Sequence, residues 1–300
     1  MTKTSKWIFC ILSALFLVFV VVVFSIMYYL FRDDENEDVV SGSNGTIALI
    51  ELKEPIVSSE NTVRLFKKYR ENSSVKAIVF RVESPGGGVA ASQEIYEEVK
   101  KTRDGGKPVV VSMGAMAASG GYYVSCGANK IVANPGTITG SIGVISQFIH
   151  YNQLLDKIGV SSTTIKSGKL KDAGSPMRAA TEEDKKYFQE MIDDVYGQFV
   201  GVVARERKLP LDEVKKLADG RVYTGKRAYE LHLIDTLGTY EDAIVIAGRL
   251  ANIKGTPATI REKKKEKLSD ILFGNVKNEV VGLKNELLNN PLLQYSVSQP

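Results

Sequence analysis

The sequence predicts an α/β fold, and three observations support this prediction. Short runs rich in Val and Ile alternate with amphipathic segments over residues 46–168. Such alternation is typical of a parallel sheet covered by helices. Two glycine-rich stretches, Ser84–Gly88 and the one around Ser119, come directly after predicted strands. The composition agrees, because 44% hydrophobic and 25% charged residues are ordinary values for a globular domain.

The first predicted element is a single membrane-spanning helix at residues 7–31, preceded by a short N-terminus, residues 1–6. The run from Trp7 to Phe31 carries no charge. At about 1.5 Å per residue it makes a helix of roughly 37 Å, which exceeds the hydrocarbon core of about 30 Å. A cleaved signal peptide is the alternative, but its apolar region is shorter and ends in small residues. Bulky residues end this run, which favours an uncleaved anchor.

The charges on either side of this helix predict its orientation. Lys3 and Lys6 precede it, whereas the acidic run Asp33–Asp38 follows. Positive residues tend to remain in the cytoplasm, so the N-terminus is predicted inside and the remainder outside. Residues 32–45 are polar and acidic, which is typical of a tether. The predicted location is the plasma membrane, with one pass and an external domain.

Residues 46–260 are predicted to form one domain. Strands are expected where apolar β-formers cluster, at residues 46–52, 75–83, 107–114, 130–136, 141–146 and 161–168. Helices are expected where apolar residues recur at helical spacing, at residues 59–72, 89–103, 181–208, 211–218, 225–231 and 239–253. Ser59 and the segment Thr181–Asp184 have the sequence pattern of helix caps.

Residues 261–300 are predicted to lie outside that domain. They begin with the charge run Glu262–Lys267, which is most simply a solvated linker. From Leu268 to Leu288 the apolar side chains then recur at helical spacing. This amphipathic helix could pack on the domain, on a neighbouring chain or on the membrane surface, and the sequence leaves all three open.

The charge and cysteine content exclude several functional classes. The net charge of +4, from 39 basic and 35 acidic residues, is too small to indicate nucleic-acid binding. Cys10 lies in the predicted span and Cys126 in the domain, so no intrachain disulfide is expected. No spacing of His, Cys or carboxylate residues matches a metal motif. The sequence therefore predicts neither a metal nor a cofactor.

The glycine-rich segment SPGGG, Ser84–Gly88, follows a predicted strand and precedes a predicted helix. A phosphate-binding loop would need G-K-[ST] after the glycines, and a dinucleotide site would need G-x-G-x-x-G. Both patterns are absent. Two interpretations remain: a tight turn, or a row of backbone N–H groups that stabilises a developing oxyanion.

Ser119 lies in MAASGGYY, where small residues suit either close packing or a nucleophile. A serine nucleophile needs a base. The two histidines, His150 and His232, lie in unremarkable segments, so lysine is the better candidate. A lysine base must have its pKa lowered from about 10.4 towards 7–8. Three lysines of one Gly- and Ser-rich segment could serve, and spacing does not choose among Lys166, Lys169 and Lys171.

Four blocks of this sequence, in this order, resemble the short form of the signal peptide peptidase A family, serine peptidases of the Clp/crotonase superfamily. They are RVESPGGGVAASQEI, SMGAMAASGGYYVSCGANKIVANPGTITGSIGVI, IKSGKLKDAGSPMR and DGRVYTGKRAYELHLIDTLG. The resemblance runs from about Thr46 to Ala251. It implies a spiral of ββα units and a bacterial endopeptidase, anchored in the plasma membrane, that degrades remnant signal peptides.

The resemblance also implies roles for particular residues. Ser119 matches the nucleophile and Lys171 the general base, while Ser141 matches the serine that orients the lysine. Gly86 and Gly120 match the N–H donors of the oxyanion hole. His232 stands where the family more often has glycine.

The resemblance further implies a homo-oligomeric ring in which serine and lysine of one site come from adjacent subunits. Two alternatives remain open: a crotonase-like acyl-CoA enzyme, which would use the oxyanion hole without a nucleophile, and a non-catalytic membrane scaffold on the same fold.

Overall fold

The structure is a computed structural model that describes residues 3–31, 37–40, 45–262 and 294–296. The described residues divide into two compact units: residues 3–31 and 37–38 with Glu262 form the first, and residues 39–40, 45–261 and 294–296 form the second. In the first unit, helix α1 spans Lys3–Phe31. Among the residues whose side chains are described, no helix combines the length and the apolar character needed to cross a membrane.

The second unit contains the sheet and its helices. The strands of the described chain are β1 Glu37–Val40, β2 Thr46–Lys53, β3 Val75–Ser84, β4 Gly86–Gly88, β5 Val109–Ala118, β6 Lys130–Ala133, β7 Ile138–Gly140, β8 Val222–Thr224, β9 Thr236–Leu237, β10 Ala258–Glu262 and β11 Gln294–Ser296. The helices after α1 are α2 Glu60–Glu71, α3 Val89–Asp104, α4 Gly120–Ser125, α5 Asn152–Lys157, α6 Glu182–Arg207, α7 Leu211–Leu217, α8 Gly225–Glu230 and α9 Tyr240–Leu250.

The central strands form a parallel sheet in the order β10-β2-β3-β5-β6-β9. Strand β7 also pairs with β5 in parallel, and β8 pairs with β7 in the antiparallel direction. Helices cover both faces of β3 and β5, so these strands are buried almost continuously rather than alternately. The predicted α/β class is confirmed.

The core lies on both faces of the sheet. On one face, Phe66 of α2 meets Phe80 of β3 edge to face, with ring centroids 5.1 Å apart. Both rings are fully buried, and each buried side chain of this size contributes about 1.5–3 kcal/mol. On the other face, α9 packs Ala243 and Ala247 against the strands. These two layers hold the ends of β3 and β5 in fixed positions.

Two predicted strands are wrong. Residues 161–168 form no strand, and Ile165 is 96% exposed, so this segment has no sheet partner for its β-branched residues. At residues 141–146 only Ile145 forms an isolated bridge. Strand β7 ends before this segment, because Ser141 adopts a φ of +50° that turns the chain out of the sheet.

The predicted helix caps had different outcomes. Thr181 and Asp184 form the predicted capping box at the start of α6. Ser59 makes no capping hydrogen bond, because its hydroxyl donates to the Glu94 carboxylate of the neighbouring helix. The amphipathic helix predicted from residue 268 lies outside the described residues.

Candidate active site

Ser119 and Ser141 lie side by side at the carboxyl ends of neighbouring parallel strands. Ala118, the last residue of β5, pairs with Gly140, the last residue of β7. The Ser119 N–H donates to the Gly140 carbonyl oxygen at 2.8 Å. The carboxyl edge of a parallel sheet is where α/β proteins typically bind ligands. The sheet register therefore places both predicted serines at the same functional edge.

Ser119 has an unusual conformation and an unsatisfied hydroxyl. Its φ is +52°, in the left-handed region that non-glycine residues seldom adopt. The side chain is fully buried, and its Oγ has no hydrogen-bond partner among the described residues. Leaving a buried hydroxyl unpaired costs about 1–3 kcal/mol. A site that retains both features is typical of catalytic function rather than of stability.

The small residues around Ser119 are also required by packing. A Cβ on Gly120 would lie 2.7 Å from Ser92 Oγ and 3.1 Å from Gly86 Cα. A Cβ on Gly121 would lie 2.8 Å from the Ser84 carbonyl oxygen. The segment after β5 thus lies directly against the glycine-rich segment after β3, and close packing and an accessible backbone both need glycine there.

The glycine-rich segment forms strand β4 rather than a simple turn. Ile56 N–H donates to Gly86 O, and Gly88 N–H donates to Ile56 O, each at 2.8 Å. Because backbone groups alternate along a strand, the N–H and C=O of Gly87 point to the opposite edge. The Gly86 N–H already donates to Ser84 Oγ at 3.2 Å. Gly87 is therefore a candidate donor that sequence reasoning did not identify.

A segment of the chain itself occupies that opposite edge. Strand β11 pairs antiparallel with β4, with Tyr295 opposite Gly87 and Ser296 opposite Gly86. On its other side, Gln294 exchanges two hydrogen bonds of 3.1 Å with Ile145. The three residues of β11 thus lie extended in a groove between two backbone edges.

The carbonyl group of Tyr295 lies where Gly86 meets Gly120. A Cβ on Gly86 would overlap the Tyr295 carbonyl oxygen and would lie 2.7 Å from the Gly120 nitrogen. Only glycine, with a φ of +105° here, allows this approach. The groove therefore holds a peptide carbonyl beside the backbone of the residue that follows Ser119.

The Tyr295 side chain fills an aromatic pocket next to Ser119. It is fully buried and stacks on Tyr123, with centroids 5.1 Å apart, and it contacts Phe199 of α6 at 4.7 Å. Its hydroxyl donates to the Val195 carbonyl oxygen at 3.3 Å. Burial raises the pKa of Tyr123 to about 12, and it raises that of Tyr295 as well. Both phenols therefore remain neutral at physiological pH, as an apolar pocket requires.

The three candidate lysines have different surroundings. Lys166 forms an ion pair with the Asp172 carboxylate and also donates to Lys169 O at 2.9 Å. Lys169 and Lys171 are exposed and lie in a short 3-10 helix, Lys169–Asp172. Within the described residues, no hydrogen bond or ion pair joins Lys171 to Ser119 or Ser141. A single chain therefore does not connect the predicted base to the predicted nucleophile.

The histidines have no catalytic setting in the described structure. His150 lies before α5 and lines a surface cavity with Lys185. His232 adopts a φ of +58° directly after α8, a conformation that glycine adopts more easily. This explains why a histidine is a departure there and confines its effect to a local turn. Over the described residues, no cluster of His, Cys, Asp or Glu could hold a metal ion.

A buried, unpaired serine beside a peptide-binding strand, on an α/β fold, defines a serine-peptidase type of site. The family described as Peptidase family S49 matches residues 101–254, which include both serines and Lys171. The chain belongs to peptidase family S49, a family of serine peptidases.

Several curated relatives support this assignment. The chain is 39% identical over 236 residues to an Enterococcus faecium protein provisionally named signal peptide peptidase SppA. The aligned region covers 79% of this chain and 64% of that protein. It is 46% identical over 208 residues to a provisionally named protease of Synechocystis, with coverages of 69% and 75%. It is 36% identical over 235 residues to the chloroplastic serine protease SPPA of Arabidopsis thaliana, with coverages of 77% and 34%. The chain thus spans less than two thirds of the length of the first and third of these relatives.

Among solved structures, a ClpP1 point mutant from Listeria monocytogenes aligns with a TM-score of 0.45 and 15% sequence identity. The alignment covers 65% of this chain and 93% of that chain.

The substitution Gly86→Ala is predicted to block the groove. The new Cβ would occupy the position of the bound carbonyl oxygen, so peptide hydrolysis should fall by at least about 10²-fold, the cost of losing one oxyanion contact. The measurement is kcat/KM on an unstructured peptide, with the melting temperature as a check of folding.

Gly106→Ala is the matched control. Gly106 has a φ of +90°, and no atom lies within 4 Å of its Cβ position, so this variant carries backbone strain without blocking the groove. It should retain activity. Equal activity of the two variants would contradict the assignment of the groove.

Proposed function

We propose that this chain is a serine endopeptidase that binds extended peptides along β4 and cleaves them with Ser119. One observation carries the proposal: β11 lies antiparallel on Gly86–Gly88, with its Tyr295 carbonyl beside Gly120. An extended peptide substrate would make the same backbone hydrogen bonds. Recognition through main-chain groups at a strand edge is a general way of binding peptides.

The proposed mechanism combines this geometry with the residue roles that the family resemblance implies. Lys171, as a neutral amine, accepts the proton of Ser119 Oγ while the oxygen attacks the peptide carbonyl. The oxyanion is held by the N–H of Gly120 and by one N–H of the glycine strand. The resemblance assigns the second donor to Gly86, but Gly87 is better oriented, because the Gly86 N–H is bonded to Ser84 Oγ. The ammonium of Lys171 then protonates the leaving amine, and a water molecule that Lys171 deprotonates releases the acyl-enzyme.

We also infer that one active site combines residues of two subunits. Lys171 is exposed, and within the described residues no hydrogen bond or ion pair joins it to Ser119 of its own chain, which supports a lysine supplied by another copy. Ser141 lines a cavity of about 480 Å³ together with Ile145, Tyr196 and Asp219, which offers a route of entry beside the serine that orients the lysine. Several apolar side chains before and within the segment that carries Lys166, Lys169 and Lys171 are exposed. Among them are Ile149, Ile158 and Ile165, and their exposure supports burial of this surface against another copy. A ring of subunits built on the family's spiral of ββα units would meet this requirement.

The proposed substrates are remnant signal peptides, which are rich in apolar side chains. The pocket around Tyr295 supports this choice, because it buries a large side chain between Tyr123 and Phe199. It lies beside the carbonyl group at Gly120, so it would select the residue directly before the cleaved bond.

The two alternative functions gain no support from the geometry. A crotonase-like acyl-CoA enzyme would not need the buried, unpaired hydroxyl of Ser119. A non-catalytic scaffold would need neither this hydroxyl nor the groove that holds β11. The peptide-shaped groove therefore favours the peptidase.

The mechanism and the shared site are tested together by Ser119→Ala and Lys171→Ala. Each variant alone should lose more than about 10³-fold in kcat, because members of a catalytic pair act as a unit. Coexpression of the two variants should restore about a quarter of wild-type peptide hydrolysis, since random mixing re-forms that share of intersubunit sites.

Coexpressed Ser119→Ala and Lys171→Ala that remain inactive, although they assemble as the wild type does, would show that each site lies within one chain. Activity of Ser119→Ala alone would refute the mechanism. Covalent labelling of wild-type Ser119 by a fluorophosphonate separates the peptidase from the acyl-CoA enzyme and the scaffold, neither of which activates this serine.

The position of β11 predicts that the chain cleaves its own C-terminus after Tyr295. Intact mass spectrometry of the incubated protein should show loss of residues 296–300 in the wild type and none in Ser119→Ala. Tyr295→Phe should keep cleavage at this bond, whereas Tyr295→Asp should abolish it, because burying an unpaired carboxylate in the aromatic pocket is costly. Equal cleavage of Tyr295→Asp would contradict the pocket assignment.

The proposed plasma-membrane anchor rests on the uncharged sequence of residues 7–31. The full chain should sediment with membranes and resist alkaline carbonate extraction, whereas a variant lacking residues 1–31 should be released. A variant lacking residues 268–288, which keeps β11, is the control for the amphipathic segment and should stay in the membrane. Release of the full chain by carbonate would overturn the anchor.

A further inference from the structure

A single guanidinium group, that of Arg178, holds the segment that carries Lys171. Its Nε and Nη2 donate to the two carboxylate oxygens of Asp172 at 3.0 and 2.9 Å, and Nη2 also donates to the Asp172 carbonyl oxygen at 3.2 Å. A bidentate pair fixes orientation as well as distance. Asp172 directly follows Lys171 in the same short helix, so Arg178 acts one residue away from the proposed base.

The same guanidinium group is bound to the first turn of α6. Both of its Nη atoms donate to the Asp184 carboxylate, Nη2 at 3.1 Å. Asp184 is buried, and it closes the capping box by accepting from Thr181 N–H at 2.9 Å. Helix α6 is fixed in the core through buried residues such as Phe199. Arg178 therefore links Lys171 to a rigid element.

Apolar packing does not fix the position of this lysine. No residue of the short helix is buried, and every residue of the preceding segment, 161–168, is exposed. Three other contacts add to the link: Lys166 with Asp172, Lys166 with the Lys169 carbonyl oxygen, and Arg178 with the Ala179 carbonyl oxygen. Polar contacts thus supply the order that the core does not.

We propose that Arg178 is a positioning residue for Lys171, joining Asp172 to Asp184 so that the lysine is held in one geometry relative to α6. This inference rests on the proposed function, because it assumes that Lys171 is the general base. Arg178 itself does not contact the substrate.

The contacts of Arg178 with Asp172 also have an electrostatic role. Without its partners, Asp172 would place a free negative charge beside Lys171 and favour the ammonium form, which cannot accept a proton. Arg178 and Lys166 both hold the pKa of Asp172 well below its usual range, so this carboxylate is charged and paired. The other charged groups on the two elements that Arg178 joins are Lys169 on the short helix and the residues that begin α6, which are Glu182, Glu183, Asp184 and Lys185.

Substitutions of Arg178 and of Asp172 should therefore shift the pH dependence of kcat in opposite directions. Arg178→Gln leaves the charge of Asp172 less compensated, so the pH of half-maximal kcat should rise, and kcat at pH 7 should fall by about 10- to 100-fold with little change in KM. Asp172→Asn leaves Lys166 without its carboxylate partner and Arg178 with Asp184 alone, so the charge beside Lys171 becomes more positive and the pH of half-maximal kcat should fall. Arg178→Lys keeps the charge and should recover part of the activity.

The assay uses the full-length chain and peptide hydrolysis between pH 6 and 10. Arg227→Gln is the matched control, because Arg227 forms a similar local ion pair with Glu230 but belongs to α8. It should behave as the wild type. If Arg178→Gln does not fold, Arg178→Lys and Asp172→Asn provide the same comparison.

A loss of activity without any shift of the pH profile in these variants would assign Arg178 a purely structural role and overturn the inference. So would wild-type activity of Arg178→Gln. Wild-type activity of Lys171→Ala would overturn this inference and the proposed function together. Inactive Lys171→Ala with an unaffected Arg178→Gln would overturn the inference alone.

Discussion

The parallel pairing of β5 with its neighbours β3 and β7 is the constraint on which the rest of the site depends. The register sets Ser84 opposite Ala117 and Ala118 opposite Gly140. Each of these strands ends within a residue or two of its partner, so three chain segments leave the sheet at one edge. A substitution that shifted this register would displace the three segments relative to one another, because a slip by one residue turns side chains and backbone groups to the opposite side.

Glycine at this edge serves two needs that cannot be separated. The segments after β3 and β5 lie so close that a Cβ on Gly86 or Gly120 would collide with a neighbour. The same absence of side chains exposes backbone N–H groups to a peptide carbonyl. The residues around Ser119 could be interpreted as packing or as chemistry, and the structure shows that packing requires glycine at these positions.

The lysine segment follows a different principle. Its residues are mostly exposed, and charged contacts centred on Arg178 order it instead of a core. A segment built in this way can reach beyond its own domain, which is what a site shared between subunits needs. Catalysis at the proposed shared site would depend on assembly, with Ser119 held by the sheet of one subunit and Lys171 held by the Arg178 contacts of another.

Local patterns along the chain were enough to predict the α/β class, the main strands and helices and the capping box at Thr181, and the family resemblance supplied Ser119 and Lys171 as candidates. These features depend on local periodicity, on helix-cap chemistry and on motif order, all of which can be recognised in the linear sequence. The sequence did not reveal the pairing of β11 with β4, the aromatic pocket for Tyr295 or the orientation of Gly87. The short strands β7 to β9 were not predicted either, and residues 161–168 were mistaken for a strand. These points depend on partners that are distant in the chain. The sequence of a three-residue strand, or of an exposed segment rich in β-branched residues, does not indicate whether such a partner is present.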